Sequence, residues 1–157
     1  MCIRDSLHYL LCYSLFFVKD KLHPFHLAIP VSDIEESIFF YKDILGLKQG
    51  RSSNQWADFN FFGHQLVCHV SSVIEEQVFN PVDGEEVPVP HFGVVLSIEE
   101  FEEFLSKIDG KDIDFIIKPT IRFKGEIGEQ RTMFFRDPSG NAIEVKAFKD
   151  IKNLFRS

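Results

Sequence analysis

His91-Phe-Gly-Val-Val-Leu-Ser-Ile-Glu-Glu100 repeats His26-Leu-Ala-Ile-Pro-Val-Ser-Asp-Ile-Glu35 at a constant offset of 65 residues. His26 aligns with His91, Ser32 with Ser97 and Glu35 with Glu100, and further on Phe39 aligns with Phe104. In both copies a histidine stands at the head of an alternating run that ends in Ser-x-x-Glu. Phe25, Leu27, Ile29 and Val31 fall on one face of a strand, and His26, Ala28 and Pro30 on the other. Phe92, Val94 and Leu96 repeat the apolar face, and His91, Gly93 and Val95 the other. Each Ser-x-x-Glu reads as a capping box, the hydroxyl accepting from the N3 amide while the glutamate reaches back. Helices follow, with Ile34, Ile38, Tyr41 and Leu45 in the first and Phe101, Leu105 and Ile108 in the second as the buried stripe. Gly46 and Asp109-Gly110 stop them.

Working outward, each strand–helix pair leads into further strands. Trp56–Phe62 and His64–Val70 flank Gly63 as a hairpin. In the second copy Ile113–Ile117, Arg131–Arg136 and Ala142–Phe148 are strands, with Asp137-Pro-Ser-Gly-Asn141 as a turn carrying Pro at i+1 and Gly at i+3. The expected fold is α+β: two βαβββ modules pairing into a cupped, barrel-like mixed sheet with helices outside. The domain runs from residue 23 to 149, with module 1 at about 23–73, an acidic, proline-bearing linker at 74–90 and module 2 at about 91–149, followed by a tail at 150–157. Gly63 and Gly140 are 77 residues apart rather than 65, so the second copy holds 12 more residues, and the polar stretch Thr120–Gln130 is the expected place for them. A long loop in only one copy is a candidate for substrate contact.

Composition narrows the function. The 157 residues carry a formal net charge of −7, which argues against nucleic acid or an anionic membrane as partner. Cys2, Cys12 and Cys68 are odd in number and lack zinc-site spacing, so a reducing, cytoplasmic setting is expected. Residues 1–22 read as a hydrophobic N-terminal extension foreign to the domain. Leu7–Val18 is too short for a bilayer span of roughly 20 residues, no small-residue cleavage site follows, and Met1–Ser6 resembles a translated sequencing adapter.

Three residues on the small-residue faces suggest chemistry. His26 and His91 occupy equivalent strand positions, each with a very small side chain two residues on, Ala28 or Gly93. Glu144 shares with Lys146 the face of the last strand opposite Ile143, Val145 and Ala147. Two imidazoles and one carboxylate with open positions suit a divalent metal, Fe(II) first, Mn(II) or Zn(II) next. Arg122, Lys124 and Gln130, in the long polar stretch, are candidates for binding an anionic substrate.

The pattern His-Leu-Ala-Ile-x-Val-x-Asp-x-x-x-Ser-x-x-Phe-Tyr-x-x-x-Leu-Gly over His26–Gly46, together with Phe-x-Asp-Pro-Ser-Gly-Asn-x-Ile-Glu over Phe135–Glu144, resembles the vicinal oxygen chelate superfamily of glyoxalase I, extradiol dioxygenases and thiol-transferring resistance proteins. Gly63-His-Gln-Leu-Val-Cys-His69 and Arg122-Phe-Lys-Gly-Glu126 are most similar to a branch described as predicted extradiol-type dioxygenases. The resemblance implies a metal at His26, His91 and Glu144. Matching Gly63 to Gly140 puts Val67 opposite Glu144, where glyoxalase I carries a fourth ligand; a three-ligand site leaves room for a chelating substrate and O₂. The resemblance also implies an acid–base histidine near that strand, His64 with His69 as rival, a neutral imidazole being suited to take a catechol proton. The strand Met133–Arg136 lacks the tyrosine many extradiol enzymes carry. The expected function is a metal-dependent dioxygenase acting on a small aromatic diol by bidentate chelation. The alternatives are a glyoxalase-like isomerase or thiol transferase on the same metal, or a non-enzymatic binding protein. Members of the group close their modules within one chain or between two, so a homodimer is compatible with either.

Overall fold

A computed structural model describes residues 23–72 and 77–155. The reading of residues 1–22, with Cys2 and Cys12, lies outside them.

Module 1 runs β1 (His26–Val31), a helix α1 (Ile34–Ile38, continuing in π form over Phe39–Ile44), β2 (Lys48–Ser52), β3 (Trp56–Phe61) and β4 (His64–Val70). Module 2 runs β7 (Phe92–Leu96), α2 (Ile98–Ile108), β8 (Asp114–Arg122), β9 (Gln130–Arg136) and β10 (Ala142–Phe148). Between them lies a hairpin of β5 (Val78–Val82) and β6 (Glu85–Val89), and a short 3₁₀ turn, Ile151–Phe155, follows β10. The two sheets have the same order, β1-β4-β3-β2 and β7-β10-β9-β8, with the first pair of each parallel. The expected α+β architecture of two βαβββ modules is therefore what the chain has. The sheets are not hydrogen-bonded to one another, so no barrel closes among the described residues. Among the described residues β1 and β7 are each an edge strand.

One core cluster holds both modules together. Ile29, Val31, Leu66 and Cys68 of the first sheet, Met133, Phe135, Val145 and Ala147 of the second, and Tyr41, Phe101 and Phe104 of the helices all belong to it. The helices thus cover the faces of the sheets that meet in the shared core. The π turn matters here. Widening the helix by one residue lets Phe40, Tyr41 and Leu45 all become buried, and Leu45 N–H donates to Phe40 O at 2.9 Å. Phe40 then meets Phe135 of the other module, with ring centroids 6.4 Å apart. Polar ties cross the same boundary: Tyr41 Oη donates to Asp137 Oδ2 at 2.8 Å, and Asn141 Nδ2 to Pro30 O at 2.9 Å. Lys111 Nζ donates to the carbonyls of Asp43 and Ile44, at 2.8 Å each, and so satisfies the end of α1.

Ser97 and Glu100 form the expected reciprocal capping box. At α1 the cap is Asp33, not Ser32: its Oδ1 accepts from Glu35 N and Glu36 N, while Ser32 N–H turns to Ser139 Oγ in module 2. The linker contains the β5–β6 hairpin, turned at Asp83-Gly84, both at positive φ. The extra residues of module 2 are divided between a longer strand β8 and the loop after it, since β8 continues to Arg122 where a loop was expected.

Candidate metal centre

With the core between the sheets, the small-residue faces point away from it. Ile29 and Val31 are buried while His26 and Ala28 are exposed. In module 2, Ile143, Val145 and Ala147 enter the core, and Glu144 and Lys146 face outward.

The register reproduces the duplication. Ala28 pairs with Val67 and Gly93 pairs with Glu144, so Val67 and Glu144 occupy equivalent places. Gly93 is required there: a Cβ would lie 1.8 Å from the backbone oxygen of Glu144. That absence of a side chain brings β7 and β10 close enough for His91, just ahead of β7, to meet Glu144. His91 Nε2 is 3.4 Å from Glu144 Oε2.

Both groups are held from behind. His91 Nδ1 is 2.7 Å from Pro88 O, and a carbonyl only accepts, so Nδ1 carries the proton. The imidazole packs edge-on against Phe134, with centroids 5.1 Å apart. Glu144 is buried; its Oε1 accepts from Thr132 Oγ1 at 2.9 Å and its Oε2 from Lys146 Nζ at 3.1 Å. With Nδ1 committed, the Nε2 lone pair and a carboxylate oxygen face each other. Only a proton or a cation between them makes that contact favourable. The hydrogen bond to Glu144 is the main cause holding His91 above its ordinary pKa, against burial, with the Pro88 carbonyl helping. Burial pushes the Glu144 carboxyl up, but His91, Lys146 and Thr132 together outweigh it and leave it below its usual value. An imidazole fixed through Nδ1 and a carboxylate fixed through one oxygen are also how ligands of a divalent ion are oriented, so the donor set fits a metal.

His26 is not gathered with this pair. Among the described residues no three His, Cys, Asp or Glu side chains converge within one chain as a metal site. His26 nevertheless has the same backing, with Nδ1 2.8 Å from Gln65 Oε1. His64 and His69 lie elsewhere on module 1: His64 Nδ1 accepts from Phe25 N at 2.9 Å, and His69 is exposed, paired across the sheet with Pro30 and Trp56. Arg122 is buried under the hairpin; its Nη2 donates to Val82 O at 2.7 Å, and its Nε is 3.8 Å from Asp83 Oδ2. Lys124 is exposed in the loop after β8, and Gln130 is buried at the start of β9, opposite Arg122. Two contributors to the site are not announced by any motif, the Pro88 carbonyl and Thr132. The signal for Thr132 is its alternation with Phe134 on β9, which places it opposite Lys146.

Residues 23–145 match the Glyoxalase/Bleomycin resistance protein/Dioxygenase superfamily, and the chain belongs to it. Among solved structures, a glyoxalase/bleomycin resistance protein/dioxygenase from Alicyclobacillus acidocaldarius is 33% identical, with a TM-score of 0.73, over 85% of this chain and 96% of that one. The chain is also similar to virulence protein STM3117 of Salmonella typhimurium, 26% identical over 91% of this chain and 94% of that protein. To the metallothiol transferase FosB of Staphylococcus saprophyticus it is 27% identical, over 76% and 73% respectively. No helix among the described residues is long and apolar enough to cross a membrane.

Proposed function

We propose that this protein is a divalent-metal enzyme that binds a small substrate through two neighbouring oxygens and transfers a thiol to it. The observation that carries the metal part is the His91 Nε2–Glu144 Oε2 contact, 3.4 Å across, with each group backed by its own hydrogen bond. The similarity to FosB favours thiol transfer over O₂ chemistry, as does the lack of a hydroxyl on Met133–Arg136. When bound, the ion supplies Lewis acidity to the substrate oxygens. His91 and Glu144 hold it, Thr132 and the Pro88 carbonyl fix their orientation, and Val67 leaves the equivalent position without a fourth ligand.

The third ligand is His26 from a second copy of the chain. Among the described residues β1 and β7 are both sheet edges, and the faces bearing His26 and Glu144 both point away from the core of their own chain. A two-fold pair that sets β1 of one copy beside β7 of the other completes the ligand set twice. The dioxygenase reading keeps one specific support, the three-ligand set itself, whose open positions accommodate O₂.

The test uses protein loaded with Mn(II), Zn(II) or Fe(II). Incubation with an epoxide-bearing acid such as glycidate and a panel of low-molecular-weight thiols is expected to give a metal-dependent adduct by mass spectrometry. Oxygen uptake with a catechol panel and no adduct would select the dioxygenase instead. His91→Ala and Glu144→Gln are each expected to cut bound metal to under about a tenth, because each removes a direct ligand. Full stoichiometric metal in either variant would sink the site.

A further inference from the structure

Lys146 has no role in the ligand set, yet it lies on the same face two residues beyond Glu144. Its Nζ is 3.1 Å from Glu144 Oε2, the same oxygen that faces His91 Nε2 at 3.4 Å. Its side chain is only 28% exposed, and Glu144 is its only carboxylate partner among the described residues. Across the ladder it is flanked by Val95 on β7 and Thr132 on β9, neither of them charged. Lys146 and a metal ion at His91 and Glu144 therefore compete for one carboxylate oxygen.

We propose that Lys146 is a displaceable counter-ion which, once metal occupies the His91–Glu144 pair, becomes the receptor for a negatively charged group on the substrate. The inference rests on the metal reading above and adds the substrate class. Charge balance carries it. A divalent ion, two neutral imidazoles and one carboxylate leave one positive charge, and Lys146 makes two. A half-buried ammonium that loses its carboxylate must find another anion or pay the cost of an unpaired charge. The chelating substrate is the group placed to supply it. The site thus selects small acids whose acidic group lies next to a second oxygen, such as 2-hydroxy acids, over neutral chelators of the same bite.

The experiment uses the full chain, wild type and Lys146→Met, with Lys146→Arg as the conservative rescue. Free Mn(II) is followed by electron paramagnetic resonance during titration. Melting of the Mn(II)-loaded protein is then measured with lactate and with lactamide. Lys146→Met is expected to bind Mn(II) about tenfold more tightly, since a nearby like charge has gone. Its preference for lactate over lactamide is also expected to shrink about tenfold from the wild-type margin, the remainder coming from the one positive charge left on the metal and its ligands. Lys146→Arg is expected to keep that preference. A Lys146→Met protein that binds Mn(II) and still prefers lactate by the wild-type margin would overturn the proposal while leaving the metal site standing. Wild-type protein that takes up no Mn(II), Zn(II) or Fe(II) would overturn both.

Discussion

The β5–β6 hairpin offers the sharpest test of how this site is supported. It lies on the outward face of module 2, with Val87 packed on Ile117 and Phe134 and Val82 alongside. It carries the Pro88 carbonyl that fixes His91. Arg122 ties it down through Nη2 to Val82 O at 2.7 Å. In Arg122→Leu the apolar stem is retained and that charged hydrogen bond is lost, a change of about 2 kcal/mol. The contact to Asp83, at 3.8 Å with the carboxylate 41% exposed, adds little. Since about 1.4 kcal/mol is a factor of ten, the hairpin should open roughly 30-fold more often. Hydrogen exchange of protected amides in Val78–Val89 should speed up by about that factor, with β3 and β4 unchanged. Metal affinity should fall by less than about tenfold, because the apolar contacts of Val87 still close the hairpin most of the time. Unchanged exchange in the hairpin, with a raised KM for substrate, would refute this reasoning and return Arg122 to the substrate-binding role its place in the polar stretch suggested.

Tyr41→Phe removes the bond to Asp137 across the module boundary. A buried hydrogen bond to a carboxylate is worth about 2 kcal/mol, so a loss of roughly 4–8 °C in Tm is expected by calorimetry. Asp137 itself should impose a pH dependence. Burial, the largest cause, raises its carboxyl pKa, against the hydrogen bonds from Asn141, Tyr41 and Ser139. A raised folded-state value means the native state holds the proton more tightly than the unfolded chain. Its contribution to stability is therefore complete below the ordinary value of 3.8 and is lost as pH rises through the folded value. Urea unfolding from about pH 3.5 upward should show this slope in the wild type and not in Asp137→Asn; equal slopes would remove Asp137 as the cause. Gly93→Ala has no room for its Cβ beside the Glu144 carbonyl. It should cost about 3 kcal/mol in urea unfolding or leave the chain insoluble; wild-type stability with full metal binding would contradict the close β7–β10 approach.

The fold was legible because the duplication is written in side chains that local physics reads directly: alternation on β1 and β7, caps at both helices, and glycines at the turns. What was missed had weak local signals. β2, Lys48–Ser52, is a mostly exposed edge strand with no apolar alternation. The hairpin was concealed by Pro81, Pro88 and its acidic residues, although Asp83-Gly84 is a strong turn pair and Val82 and Val87 flank it. Ser32 and Asp33 are both able to cap α1, and only the tie from Ser32 N–H to Ser139 Oγ decides between them. For the site, the repeat established that His26 and His91 are equivalent. Equivalence in a duplicated unit is a statement of symmetry, not of proximity, and the burial of opposite strand faces in one core keeps the two histidines apart.

The divergence between the copies then says what each half is for. Val67 sits between Ala28 and Asp58, whose carboxylate is paired with Arg51 at 3.3 Å. Glu144 sits between Gly93 and Phe134, beside the β5–β6 hairpin, which has no counterpart among the described residues of module 1. A carboxylate on β10 has a glycine beside it to admit close approach and an aromatic ring to seat the imidazole. The equivalent place on β4 has neither, and its valine has no lone pair to offer. In the proposed site, module 2 therefore orients two ligands by itself, while module 1 contributes His26. In the two-fold pair proposed above, four modules then make two sites rather than four, each spanning both chains. A variant of one chain lacking His26, mixed with one lacking Glu144, should consequently recover half of its sites in each heterodimer, whereas within-chain sites would recover none.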